Sequence, residues 1–204
     1  MSREKEIIDL TRSLDQDLEI YSAGKYEDPK LTLKPWASLR EEGFRVSQVS
    51  LGTQTGTHID APSHFTEDGA TLEQFPVRGL LGPYCWINLD TISGSANPGG
   101  QVSAYKGESI LFLASPRGHA KITKNALFTL CSLPAGLWVL SGSVSVEEGD
   151  PFYFNRAAAE HGIFLVEDLE PEASKQVKPG GKLIALPLKL SGVSGAPCRV
   201  VVIQ

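Results

Sequence analysis

The sequence has little of what several large classes of protein require. Lys and Arg number 19 against 24 Asp and Glu, the net charge is −5, and no basic cluster stands out. Nucleic acid and an anionic membrane are therefore not expected as partners. The N-terminus lacks the apolar core of a signal peptide. One uncharged run long enough to test as a membrane span, from Ala126 to Val146, contains too many Ser, Gly and Pro residues for a membrane-spanning helix.

Cysteine is also scarce. The three cysteines, Cys85, Cys131 and Cys198, are far apart in the chain, and no CxxC pair occurs. This pattern favours a reduced, cytoplasmic compartment in which the cysteines serve as small hydrophobic residues of the core.

What the chain does contain predicts a strand-rich globular protein. Its 204 residues, 41% of them hydrophobic, fit a single domain spanning 1–204. Short apolar runs outnumber amphipathic helical patterns, which favours an α/β or α+β domain. Strands are predicted at 7–11, 44–51, 82–89, 109–114, 137–146, 163–166, 183–190 and 198–203. Helices are predicted at 121–130 and 156–161, turns throughout 22–43, and a loop at 93–100.

Histidine is nearly as scarce as cysteine, and two of the four histidines lie close together in the segment QTGTHIDAPSHF at 54–65. On a strand, His58 and Asp60 point to the same side, and Pro62 redirects the chain so that His64 can return towards them. Two imidazoles and a carboxylate form half of a divalent-metal site. The alternative, which the spacing leaves equally open, is that Asp60 only orients a histidine by hydrogen bonding.

Glu167 is the candidate for a further ligand. It follows the apolar run 163–166, at the end of what should be a buried strand. A carboxylate there is either a residue at the rim of the sheet or a metal ligand, and composition alone favours the rim.

Four segments, in order along the chain, carry a family resemblance: IDLT at 8–11, QTGTHIDAPSHF at 54–65, GIFLVEDL at 162–169 and KLIALPLKLSGVSGAPCR at 182–199. They resemble landmarks of the cyclase family of metal-dependent hydrolases, which includes the bacterial kynurenine formamidases (arylformamidases). The resemblance implies a swivelling β/β/α domain, a small-molecule substrate, and assembly as a homodimer or homotetramer.

The resemblance also implies a metal site. His58, Asp60, His64 and Glu167 match the family's ligands for one or two divalent ions, zinc or manganese. Gln54 stands where the signature has its first histidine. An amide oxygen is a weaker zinc ligand than imidazole but is acceptable to manganese, so Gln54 is retained as a candidate ligand.

The catalytic accessories depart from the family pattern. Asn155 replaces a histidine that assists proton transfer, and asparagine cannot act as a general base. Glu167 or Glu160 is therefore expected to handle the proton, and His161 is a candidate shuttle, although it reads more simply as a surface residue. Other candidate substrate contacts are Asn155 itself, Phe65 beside the metal segment, and Trp36, which could equally be a core aromatic.

Three functions follow from these residues. The first is a metal-dependent hydrolase that attacks a C–N bond, in a formamide or a cyclic amide, with a metal-activated water. The second is a metal-using cyclase, dehydratase or isomerase, which needs no activated water. The third is a degenerate member of the family that binds a ligand without turnover.

Overall fold

The chain is built mainly from strands. The computed structural model describes residues 5–93 and 102–204. The strands are β1 Ile7–Asp9, β2 Ser22–Ala23, β3 Tyr26–Glu27, β4 Thr32–Ala37, β5 Val46–Ser50, β6 His58–Asp60, β7 Leu81–Asn88, β8 Ile110–Ile122, β9 Leu137–Val146, β10 Phe164–Glu167, β11 Lys182–Pro187 and β12 Gly195–Ile203. The helices are α1 Leu89–Ser93, α2 Lys124–Cys131, α3 Tyr153–Glu160 and α4 Pro171–Ser174, with 3₁₀ turns at Pro62–His64, Leu72–Gln74 and Val77–Gly79.

The main sheet curls into a barrel-like ring. Its strand order is β1-β12-β11-β7-β8-β9-β10-β6, and β6 also pairs with β12, so that the sheet closes on itself. Strands β7 to β10 run parallel, whereas β6 is antiparallel to both of its neighbours. The short strand β6, which carries the histidine segment, is therefore held on both edges.

Alternating side chains on β8 show how the core is divided. Ile110 and Phe112 belong to the cluster that fills the ring. Leu111 and Leu113 point to the opposite face and pack with residues of α1, α2 and α3. This period of two is what a strand covered on both faces requires. The structure confirms the expected α/β class with a high content of strand.

Most predicted elements are present, with shifted boundaries. The strand predicted at 137–146 has the same bounds as β9. The helix predicted at 121–130 begins only at Lys124, because the Thr123 side chain caps it by accepting a hydrogen bond from the Ala126 amide. Residues 121 and 122 instead extend β8. Of the loop predicted at 93–100, residues 94–100 lie outside the described residues.

The stretch from 22 to 50 differs from expectation. The predicted turns contain a small hairpin, β2–β3, and a second ribbon, β4–β5, each a separate two-stranded sheet. Strand β5 confirms the strand predicted at 44–51, and it is exposed throughout. Within the described residues, β4 and β5 pair with each other and not with the main sheet. In the described part of the chain, no helix has the length and apolar character needed to cross a membrane.

Candidate metal centre

Strand register brings the predicted ligands together. Glu167 on β10 is directly opposite His58 on β6, and Asp60 lies two residues further along β6 on the same face. Ile59, between them, points the other way and is fully buried in the core. Ligand atoms of His58, Asp60 and Glu167 all lie within 4.8 Å of one another. The register thus favours the ligand interpretation of Glu167 over the rim interpretation.

His58 is held in the orientation that suits a metal ligand. Its Nδ1 donates to the carbonyl of Gly56 at 2.8 Å, so Nε2 is the nitrogen with the free lone pair. Nε2 lies 3.6 Å from Oδ1 of Asp60. Gly56 has a φ of +63°, and a Cβ there would lie 2.6 Å from Cδ2 of Leu14. The tight turn that supplies this carbonyl therefore requires glycine.

The two carboxylates are short of positive partners. Burial raises the pKa of Asp60, partly offset by His58 and His64. Burial, together with the nearby charges of Asp60 and Asp168, raises the pKa of Glu167 well above its ordinary range. Among the described residues that line the surrounding cavity, none is Lys or Arg. Two close, buried carboxylates without a cationic side chain are what a metal ion would stabilise.

Gln54 is placed beside the ligands rather than among them. Its Nε2 donates to Oδ1 of Asp60 at 3.3 Å, and its Oε1 accepts from Thr53 Oγ1 at 2.5 Å. The amide therefore presents a donor to the site, which differs from the oxygen ligand that was predicted. His64 lies beyond it, with Nδ1 3.5 Å from Gln54 Nε2 and 3.2 Å from Ser194 Oγ. His64 lines the cavity but is exposed and stands outside the three-residue cluster.

Asn155, which stands where the family has a histidine, forms a hydrogen bond with Glu167. Its Nδ2 donates to Oε2 of Glu167 at 2.9 Å, from the first half of α3. Glu160 and His161 are not brought to the site: both are exposed, and neither lines the cavity. The five residues from Asn155 to Glu160 turn a helix by about 140° from the starting face. His161 caps the C-terminal end of α3, and its Nδ1 donates back to the Ala157 carbonyl.

A cavity of about 520 Å³ opens over the three ligands. Phe65 lines it, as predicted, whereas Trp36 is 73% exposed on the β4–β5 ribbon and does not. Five further lining residues were not among the candidates: Glu19 and Tyr21 just before the predicted turns, Tyr26 and Asp28 within them, and Phe152 in the loop before α3. The only available signal was that aromatic and acidic residues recur together between 19 and 28.

The donor set fits a divalent ion. One imidazole nitrogen and two carboxylates, converging from two paired strands, are donors that zinc and manganese both accept. His58 already has the tautomer for ligation, and no Lys or Arg among the described lining residues balances the two carboxylates. Fold and site together define a barrel-like α/β protein with a largely buried His–Asp–Glu cluster able to hold a divalent ion.

Comparison with known proteins agrees with this class. The family model described as "Putative cyclase" matches residues 8–126. The chain therefore belongs to the cyclase family.

Individual relatives span nearly the whole chain. The kynurenine formamidase of Bacillus cytotoxicus is 27% identical over 206 residues, covering 97% of each chain. Isatin hydrolase A from Labrenzia aggregata superposes with a TM-score of 0.81 at 18% identity, covering 98% of this chain and 93% of that one. A structure described as a predicted metal-dependent hydrolase from Bacillus stearothermophilus superposes with a TM-score of 0.74 at 21% identity, covering 98% of this chain and 99% of that one. These likenesses confirm the fold expected from the family.

Proposed function

We propose that the protein is a metal-dependent hydrolase that cleaves a carbon–nitrogen bond in a formamide or a cyclic amide. The observation that carries the proposal is the convergence of His58, Asp60 and Glu167 at the base of a cavity large enough for a small molecule. Relatives named for formamidase and isatin hydrolase activity support the reaction class, since each of those names describes hydrolysis at a C–N bond.

In this proposal His58, Asp60 and Glu167 hold a zinc or manganese ion, and His64, on the open side of the same cavity, is the fourth donor. A bound divalent ion supplies Lewis acidity, which polarises a carbonyl and lowers the pKa of water. We propose a single ion, because the Gln54 amide nitrogen, a donor, faces Asp60 where the family signature has a histidine.

Glu167 is the residue proposed to move the proton. Its Oε2 is fixed by Asn155, which orients the carboxylate. The carboxylate of Glu167 lines the cavity, where it can take a proton from the attacking water and return it to the leaving nitrogen. Asn155 is thus a positioning residue for Glu167.

The test is hydrolysis of formanilide, N-formylkynurenine and a panel of lactams by manganese- and zinc-loaded protein. We expect turnover that His58→Ala abolishes. His119→Ala is the matched control, because His119 contacts Ser143 and Ser145 and does not line the cavity. Full metal loading without turnover on any substrate would reject hydrolysis and leave the metal-using cyclase, dehydratase or isomerase. Failure to load metal would leave only the degenerate binding member.

The cellular setting is also a proposal. All three cysteines are free, and Cys85 and Cys198 are buried, which supports a reduced cytoplasmic location. We propose a homodimer or homotetramer, since the β4–β5 ribbon exposes several large apolar side chains: Leu33, Trp36, Leu39, Phe44, Val46 and Val49.

A further inference from the structure

The mouth of the cavity is strongly acidic. Five carboxylate residues line the whole cavity: Asp60 and Glu167 at its base, and Glu19, Asp28 and Asp168. No Lys or Arg is found among the described lining residues. One divalent ion would neutralise only two of the five formal negative charges, so a negative potential remains where a substrate enters.

The two outer carboxylates are available to a ligand. Glu19 is exposed and has neither a hydrogen bond nor an ion pair within the described residues. Asp28 is partly buried and accepts a hydrogen bond from the Tyr26 hydroxyl at 2.6 Å, which fixes its carboxylate at the mouth. The nearby cation Lys30 is directed to Glu27, at 3.4 Å, and does not line the cavity.

Aromatic rings form the wall between this mouth and the metal centre. Tyr21 and Phe152 pack edge to face with centroids 5.7 Å apart, and Phe152 lies 5.7 Å from Phe65. Tyr26 stands 6.3 Å from Tyr21 on the other side. Aromatic faces attract cations as well as aryl groups, and carboxylates beside them add to that attraction.

We propose that this mouth selects a substrate whose aryl group carries a positive charge at the end remote from the scissile C–N bond. The inference rests on the proposed function, since it places that bond at His58, Asp60 and Glu167. The aromatic wall holds the aryl group, and Glu19 and Asp28 hold the cationic substituent. A negatively charged substituent at the same end is repelled.

The experiment compares three formanilides that differ only at the para position: unsubstituted, trimethylammonio and sulfonate. We expect kcat/KM to be highest for the cation and lowest for the anion. Glu19→Gln and Asp28→Asn should each lower the cation-to-neutral ratio by about fivefold, the upper range for a partly exposed ion pair. Glu27→Gln, the same change on the same hairpin outside the cavity, should leave the ratio unchanged.

A binding measurement, which needs no turnover, tests this inference separately from the proposed function. Phenyltrimethylammonium and benzenesulfonate are titrated calorimetrically into metal-loaded protein. Tighter binding of the cation, weakened by Glu19→Gln and by salt, supports the inference even if none of the formanilides is hydrolysed. Equal binding of the two ions, or a cation-to-neutral ratio that neither variant changes, overturns it even if formanilide itself is a good substrate.

Discussion

Metal affinity should depend on pH through Glu167. The carboxyl of Glu167 has a pKa well above its ordinary range in the metal-free protein, because it is buried beside Asp60 and Asp168. A metal ion binds the carboxylate form, so below that raised pKa the ion must displace a proton. Each displaced proton makes the affinity rise by about tenfold, or about 1.4 kcal/mol, per pH unit. Above the raised pKa the dependence on Glu167 disappears.

The same shift determines how stability varies with pH. An acid with a raised pKa in the folded state holds its proton more tightly than in the unfolded chain. Glu167 therefore contributes most to the free energy of unfolding of the metal-free protein below the ordinary carboxyl pKa. This contribution falls as pH rises towards the raised pKa. Metal affinity instead rises with pH over the same interval, so the stabilisation that the metal produces should grow as pH increases.

The assay is calorimetric titration of Mn²⁺ into metal-free protein from about pH 5.5 to about pH 8.5, a range that brackets ordinary imidazole titration. Glu167→Gln keeps the size of the side chain and an oxygen that can accept the hydrogen bond from Asn155, but it removes the group that titrates. We expect it to lower affinity by at least about tenfold, since loss of even an outer-shell partner costs that much. Its slope of log affinity against pH should be about one lower than that of the wild type.

Glu160→Gln is the matched control, the same substitution on an exposed residue outside the cavity, and should behave as the wild type. Parallel pH profiles for the wild type and Glu167→Gln would refute the reasoning. They would mean that no proton leaves Glu167 when metal binds.

Three further predictions concern the surroundings of the centre. Gln54→His should raise zinc affinity by about tenfold in calorimetric titration, because imidazole replaces an amide that lies 3.3 Å from Asp60; unchanged affinity would show that this position does not reach the ion. Gly56→Ala should lower the free energy of unfolding by about 1–2 kcal/mol in urea, since it forces a left-handed φ and a clash with Leu14; equal stability would contradict this. The protein should sediment as a homodimer or homotetramer, and Trp36→Ser should shift it towards monomer; a wild-type monomer would refute that assembly.

Much of the fold follows from local pattern. Apolar runs located the strands of the ring, because parallel strands covered on both faces have continuous apolar sequences. Strands β2, β3 and β4 fall where turns were predicted, because they are exposed and leave no burial pattern to detect; β5 lies within the strand predicted at 44–51. The aromatic and acidic lining carried by the first hairpin was missed for the same reason.

The candidate site was predictable in its ligands but less so in their surroundings. The alternation of His58 and Asp60 on one strand is a local property, whereas the position of Glu167 depends on cross-strand register over more than a hundred residues. The family resemblance supplied that pairing. The hydrogen bond from Asn155 to Glu167 and the orientation of the Gln54 amide arise from tertiary contacts that spacing does not encode. Glu160 and His161, chosen for proximity in sequence, face away because helix geometry separates them from Asn155.

The central claim is that His58, Asp60 and Glu167 bind one divalent ion. Anomalous diffraction from crystals grown with Mn²⁺ tests it most directly. We expect a single strong peak within about 2.0–2.3 Å of His58 Nε2 and of oxygens of Asp60 and Glu167. No peak between these side chains at full Mn²⁺ loading, or a peak only at other residues, would contradict the account.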